Sequence, residues 1–278
     1  MWALVRVIAL AVAAGTALLL AGQGGWLLSI WDRAAGLIGT GAVTPGGRGA
    51  LTQPTALAAM TVGGAAALTR PADRVVGQLV TLLHELGHTV VAAALGARPA
   101  GIVLRHDASG HATARWIGRP GPSRRFALAL VAFAGLPAAA TASAAGAHLV
   151  GLAGAEPVLW TAAAAGVLVA VLARTVWSLL VAAGLAALTV AALSAAAAPW
   201  AGGVVVGVLT AVAVKSTRDN ARALGRRIAP GDDARVVTGY IGLPARLVQF
   251  VQVVVAGALS VWTIWLLLPP LAGLALWD

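Results

Sequence analysis

Residues 75–94 read VVGQLVTLLHELGHTVVAAA, twenty positions with one formal charge, Glu85, near their centre. A helix rises 1.5 Å per residue, so this run is about 30 Å long, the thickness of a bilayer's hydrocarbon core. Read as a helix, it places His84 and His88 one turn apart on one face, with Glu85 beside them. The nearest flanking charges, Arg74 and Arg98, lie ten residues from the nearer histidine. That puts the imidazoles roughly 15 Å from either charged end. Ionisable groups at such depth are costly and are kept where function needs them.

The rest of the chain reads the same way. Of 278 residues, 60% are hydrophobic and only 10% charged, against about a quarter charged in soluble domains. Further apolar blocks fall at residues 3–24, 126–147, 157–173, 175–197, 200–215 and 247–268. Lipid offers no partner for open backbone groups, and barrel-type alternation is missing, so helices are expected. The fold class is therefore all-α, a polytopic transmembrane bundle of about seven spans. Short breaks at Arg174 and at 198–203 imply antiparallel neighbours. Residues 51–69 are mildly apolar and offer an eighth, partly inserted segment. No A-x-A-like site follows the run 3–24, which is expected to be an uncleaved anchor. The division expected is an N-terminal anchor span and non-cytoplasmic loop (1–74), a membrane core (75–268) and a short tail (269–278).

The formal charge of +10 could suggest nucleic acid in a soluble protein. Here the basic residues fall between apolar blocks, where they set membrane orientation. With a cytoplasmic N-terminus and seven spans, fifteen of nineteen lie on the cytoplasmic side, leaving Arg33, Arg48, Arg70 and Arg74 opposite. A multi-pass plasma-membrane protein with the lipid bilayer as partner, and no nucleic acid, is the expectation. Lys215, Arg218, Arg222, Arg226 and Arg227 recur at helical steps, a basic face suited to anionic headgroups.

Chemistry concentrates at His84-Glu85-Leu86-Gly87-His88. Two imidazoles four residues apart hold one divalent ion, which makes water a nucleophile near neutral pH. Glu85 is placed to accept that water's proton. There is no cysteine, which excludes disulfides, thiolate zinc sites, iron–sulfur ligation and cysteine nucleophiles. Further ligands must come from His, Asp or Glu. His106, Asp107 and His111 read as solvated loop residues, and His148 as interfacial. The competing reading is a non-catalytic membrane protein that binds or conducts a divalent metal ion. A conduit usually shows repeated halves and several polar midplane segments, and one such segment is visible.

At this point the chain resembles the site-2 protease group of intramembrane metalloproteases, in its M50B-like branch. The resemblance starts with the HELGH helix and continues through Ala94-Leu95-Gly96-Ala97-Arg98. Residues 101–110 look like the short β-like segment that follows the metal helix in that group. Phe133-Ala134-Gly135-Leu136-Pro137 is similar to its A-G-x-P element. Arg174-Thr175-Val176-Trp177, and Asp232-Asp233-Ala234 through Thr238-Gly239 to Leu243-Pro244, also fit. The resemblance implies zinc (Zn2+) held by His84 and His88, with Glu85 as base and then proton donor. It implies a membrane-protein substrate helix, locally unwound before attack. It also implies that Gly135 and Pro137 let a neighbouring helix approach or kink beside the metal. The group's usual third ligand, an Asp in an N-x-x-P…D-G element, is missing, because Val158 to Val214 contains no Asp or Glu. Asp232 and Asp233, preceded by Pro230-Gly231, are the preferred replacements, followed by Asp219 and then His148 or His106. Helix N-capping is the alternative role for the pair. The pair precedes the last span by some thirteen residues, so it reaches a mid-membrane ion only if that segment folds inward.

Overall fold

The computed structural model describes residues 53–116, 121–194 and 199–268. The expected first span and the tail lie outside these. Eight helices and one hairpin follow in order: α1 (Gln53–Ala66), α2 (Arg70–Ala94), β1 (Arg98–Leu104), β2 (Gly110–Arg115), α3 (Pro122–Ala153), α4 (Glu156–Leu172), α5 (Val176–Ser194), α6 (Pro199–Leu224), α7 (Asp233–Ile241) and α8 (Ala245–Leu267). The helical membrane bundle expected from the sequence is what forms. Among the described residues, five helices are long and apolar enough to cross a membrane: α2, α3, α5, α6 and α8. α4, expected as a span, is also apolar and has 17 residues, fewer than any of these five. α1, the mildly apolar segment, is a 14-residue helix lying along α6.

α3 is the hub. Its 32 residues contact α2, α4, α6, α7 and α8. The buried face is small, built of Ala129, Ala132, Gly135, Ala139, Ala140, Ser143, Ala144, Gly146 and Ala147. In lipid, helices gain little from hiding apolar surface and associate by close packing, which small residues permit. The α1–α6 contact shows the limit of this: a Cβ on Gly63 would collide with the Gly207 backbone.

The short β-like segment expected over 101–110 forms, and it is longer than expected. β1 and β2 pair from Arg98↔Arg115 to Leu104↔Gly110, and the hairpin folds back along α2. Its tip reaches the first half of that helix, where Gln78 Nε2 donates to Arg105 O (2.8 Å) and Thr81 Oγ1 to Ala108 O (2.7 Å). A strand placed against membrane helices needs partners for its outer backbone groups. The α4–α5 junction supplies them. Arg174 N–H donates to Ile102 O (3.0 Å), and the Arg174 guanidinium grips Ala100 O. Thr175 Oγ1 donates to Leu104 O (3.2 Å), and Leu104 N–H donates to Ser178 Oγ (2.7 Å). The break at Arg174 is thus a clamp on β1 as well as a helix turn.

The basic face on α6 also differs from expectation. Lys215 is 8% exposed and bonds Asp73 (3.1 Å) and Asp219 (2.7 Å). Arg218 pairs with Asp73 and donates to Ala67 O (2.8 Å). These two cations therefore tie α6 to the start of α2. Arg222 near the end of α6, and Arg226 and Arg227 beyond it, are exposed. Helical spacing cannot separate the two outcomes, because Asp73 lies 142 positions before Lys215 in the chain.

Candidate metal centre

α2 brings the two imidazoles together as their spacing requires. His84 Nε2 and His88 Nε2 are 3.2 Å apart, and the rings stand nearly perpendicular with centroids 4.7 Å apart. His88 Nδ1 lies 2.7 Å from Val131 O on α3. A carbonyl only accepts, so Nδ1 carries a proton and Nε2 is the nitrogen turned toward the site, the arrangement that orients a metal-binding imidazole.

The third member is Asp233. Its Oδ2 is 3.2 Å from His84 Nε2 and its Oδ1 is 3.4 Å from His88 Nε2. Ligand atoms of His84, His88 and Asp233 all lie within 4.8 Å of one another, the one such triad among the described residues. Burial pushes the Asp233 carboxyl up, but hydrogen bonds and charge from His84 and His88 outweigh it and hold it well below the usual carboxylate range. Asp233 is thus an anion. Protons on the two Nε2 atoms offset that charge here, and a divalent ion binding among the three groups would displace them, since metal ligands bind deprotonated. Two nitrogens and one carboxylate oxygen suit zinc and leave a coordination position open, as catalytic zinc sites do. The residues fit the ion.

How Asp233 arrives answers the question of depth. α7 lies along α3, burying Ala234 and Val237 against Ala129, Ala132 and Val248. The segment before the last span therefore does fold inward. The approach is close because of Gly135: a Cβ there would collide with the His88 ring and come 2.8 Å from Asp233 Oδ2. Gly87 plays the same part on α2, facing Ala134 O and Ala138.

Asp232, the other half of the preferred pair, is not in the triad. It is exposed at the N-cap position of α7, and its Oδ2 accepts from Ala229 N–H (2.6 Å). Its extended backbone aims the side chain into the turn, whereas the next residue is already helical and faces α3. The other candidates are also elsewhere. Asp219 bonds Lys215, while His106 and His148 are exposed. His111 is exposed on β2, and the Asp107 carboxylate accepts from Ser109 N–H (3.0 Å) and Oγ (2.7 Å). Those Ser109 hydrogen bonds hold the Asp107 carboxyl below its ordinary range.

Glu85 is 4% exposed, and its Oε2 is buried without a hydrogen-bond partner. Native proteins rarely leave a buried carboxylate oxygen so. The hairpin roofs this group: a Cβ on Gly110 would stand 3.2 Å from Glu85 Cγ. Neither Val131 nor Gly110 stands out in the sequence. One contributes a backbone carbonyl and the other an absence of side chain, so neither carries a chemical signature.

A family model described as Peptidase M50B-like matches residues 57–266. The chain belongs to that family. No curated protein and no solved structure matches it significantly. Membership places this M50B-like chain among peptidases, and its apolar helices are those of a multi-pass membrane protein. The match begins inside α1 and runs to the end of α8, so it takes in the HELGH helix, the hairpin, Pro137 and Asp233.

Proposed function

We propose that this M50B-like protein is an intramembrane zinc-dependent endopeptidase, cutting peptide bonds within or beside the bilayer. The carrying observation is the convergence of His84 Nε2, His88 Nε2 and the Asp233 carboxylate next to the buried, unpartnered Oε2 of Glu85. His84, His88 and Asp233 would hold the ion. A bound zinc ion supplies Lewis acidity, acidifying water and polarising the scissile carbonyl. Glu85 accepts the proton of the attacking water and returns it to the leaving amide nitrogen. Val131 O keeps His88 in the tautomer that presents Nε2, and the Asp233 anion offsets part of the ion's charge. The Gly110 end of the hairpin limits water around the buried Glu85. A helical substrate has its carbonyls bonded internally, so it must unwind locally before attack.

The basic residues support a plasma-membrane location with the N-terminus cytoplasmic. The test uses the full chain in lipid nanodiscs with casein as an unfolded substrate. Glu85→Gln should retain one zinc per chain and lose cleavage by at least about a hundredfold, the scale of a general base. A variant that cleaves as fast as the parent would remove the hydrolase reading. Zinc passing across proteoliposomes at a rate set by Glu85 would favour the conduit instead.

A further inference from the structure

The element Phe133-Ala134-Gly135-Leu136-Pro137 lies in the middle of α3, and its proline has a cost. Residue 137 should donate its N–H to the carbonyl four residues back, Phe133 O. Proline has no N–H, and its ring pushes that carbonyl aside. In a membrane bundle bulk water does not replace the lost donor, so a neighbouring helix, a local adjustment or an ordered water must. α8 does so: Gln252 Nε2 donates to Phe133 O at 3.1 Å. Gln252 is fully buried, and its own Oε1 has no hydrogen-bond partner. A buried amide used at one end only points to the donor as the reason for this residue type.

The turn that Pro137 loosens is the one that holds the triad. Val131 O, two residues before that turn, orients His88 (2.7 Å). A Cβ on Gly135 would meet both the His88 ring and Asp233, and one on Gly87 would come 3.0 Å from Ala134 O. We propose that Gln252 is a positioning residue of the metal centre, supplying from α8 the hydrogen bond that Pro137 removes from α3. Through it the two turns at 131–137 keep the register that sets His88 against Asp233. Gln252 touches no ligand atom and acts through α3 alone. The part that concerns the metal rests on the zinc reading above; the hydrogen-bond exchange does not.

The test is a double-mutant cycle on the full-length protein in nanodiscs. Phenylalanine labelled at the carbonyl carbon gives three resonances, since the chain has three Phe, and Zn2+ affinity is measured on the stripped protein by chelator competition. In Gln252→Met, the Phe133 carbonyl resonance should move upfield and Zn2+ affinity should fall about tenfold, the scale of an outer-shell loss. In a Pro137→Ala background, the N–H restored at that position takes the carbonyl, so Gln252→Met should change neither quantity. An unmoved Phe133 resonance, or the same affinity loss in both backgrounds, overturns the proposal. Should Gln252→Met alone not fold, the Pro137→Ala/Gln252→Met protein is expected to fold, and its failure would overturn the proposal equally. If the parent protein holds no zinc while the carbonyl cycle behaves as described, the zinc reading fails and the exchange stands.

Discussion

Gly135→Ala is the sharpest probe of the centre, because it adds one methyl group where two ligands meet. The new Cβ would collide with Cε1 and Nε2 of His88 and approach Asp233 Oδ2 to 2.8 Å. His88 cannot simply turn away, since Val131 O holds its Nδ1 at 2.7 Å. Asp233 begins a helix whose Ala234 and Val237 are packed on α3. The strain therefore opens the triad. Overpacking of this kind costs about 1–3 kcal/mol, and if it falls on the ligand positions, zinc affinity drops about 5- to 150-fold. Replacing glycine by alanine inside a helix returns about 1 kcal/mol of helix propensity, so the metal-free protein should unfold near the parent's midpoint. Chelator competition and thermal unfolding with and without zinc separate the two quantities. An alanine variant that binds zinc as tightly as the parent would show that His88 and Asp233 do not meet across Gly135, and the triad would be lost with them.

Three further outcomes are expected. Asp233→Asn should weaken zinc binding by at least about tenfold, while Asp232→Asn leaves affinity within about twofold, the ordinary scale of a surface change; equal losses would contradict the separation of the pair. Gly110→Ala places a methyl 3.2 Å from Glu85 Cγ and 2.9 Å from Val103 O, so cleavage should fall while the zinc content stays at one per chain. Asp73→Asn strips the carboxylate shared by Lys215 and Arg218, leaving two cations to Asp219. Discounted because Asp73 is about a third exposed, the loss is about 1–3 kcal/mol, readable as a lower midpoint in denaturing-detergent titration. An unchanged midpoint would mean the network does not hold α6 to α2.

What sequence can and cannot reveal follows from how far each contact reaches along the chain. His84, Glu85 and His88 lie within five positions, so helix geometry alone places them on one face at a known depth. The long spans are legible for the same reason, since length and hydropathy are local. Asp233 is different. It comes from 145 residues beyond His88, and a short helix outside the spans carries it inward. Spacing alone makes Asp232 and Asp233 equivalent; the turn at Ala229 separates them, since the Ala229 N–H takes the Asp232 carboxylate. The basic residues of α6 mislead because their partner Asp73 is equally remote, and a cation step pattern looks the same facing lipid or facing a carboxylate.

Least legible are the parts made of backbone. Val131 O fixes the His88 tautomer, Phe133 O takes the Gln252 amide, and Ala100 and Leu104 carbonyls take Arg174 and Thr175. Any residue type brings a carbonyl, so no side chain announces these roles. Two sequence features do mark them at second hand. A proline inside a span declares an orphaned carbonyl four residues earlier, and a buried glutamine in another span offers a donor. Membrane interiors strengthen this inference, because there the unpaired carbonyl has no bulk water to fall back on. In this chain the pairing of Pro137 with Gln252 ties α8 to the stretch of α3 beside the triad, although no residue of α8 belongs to it.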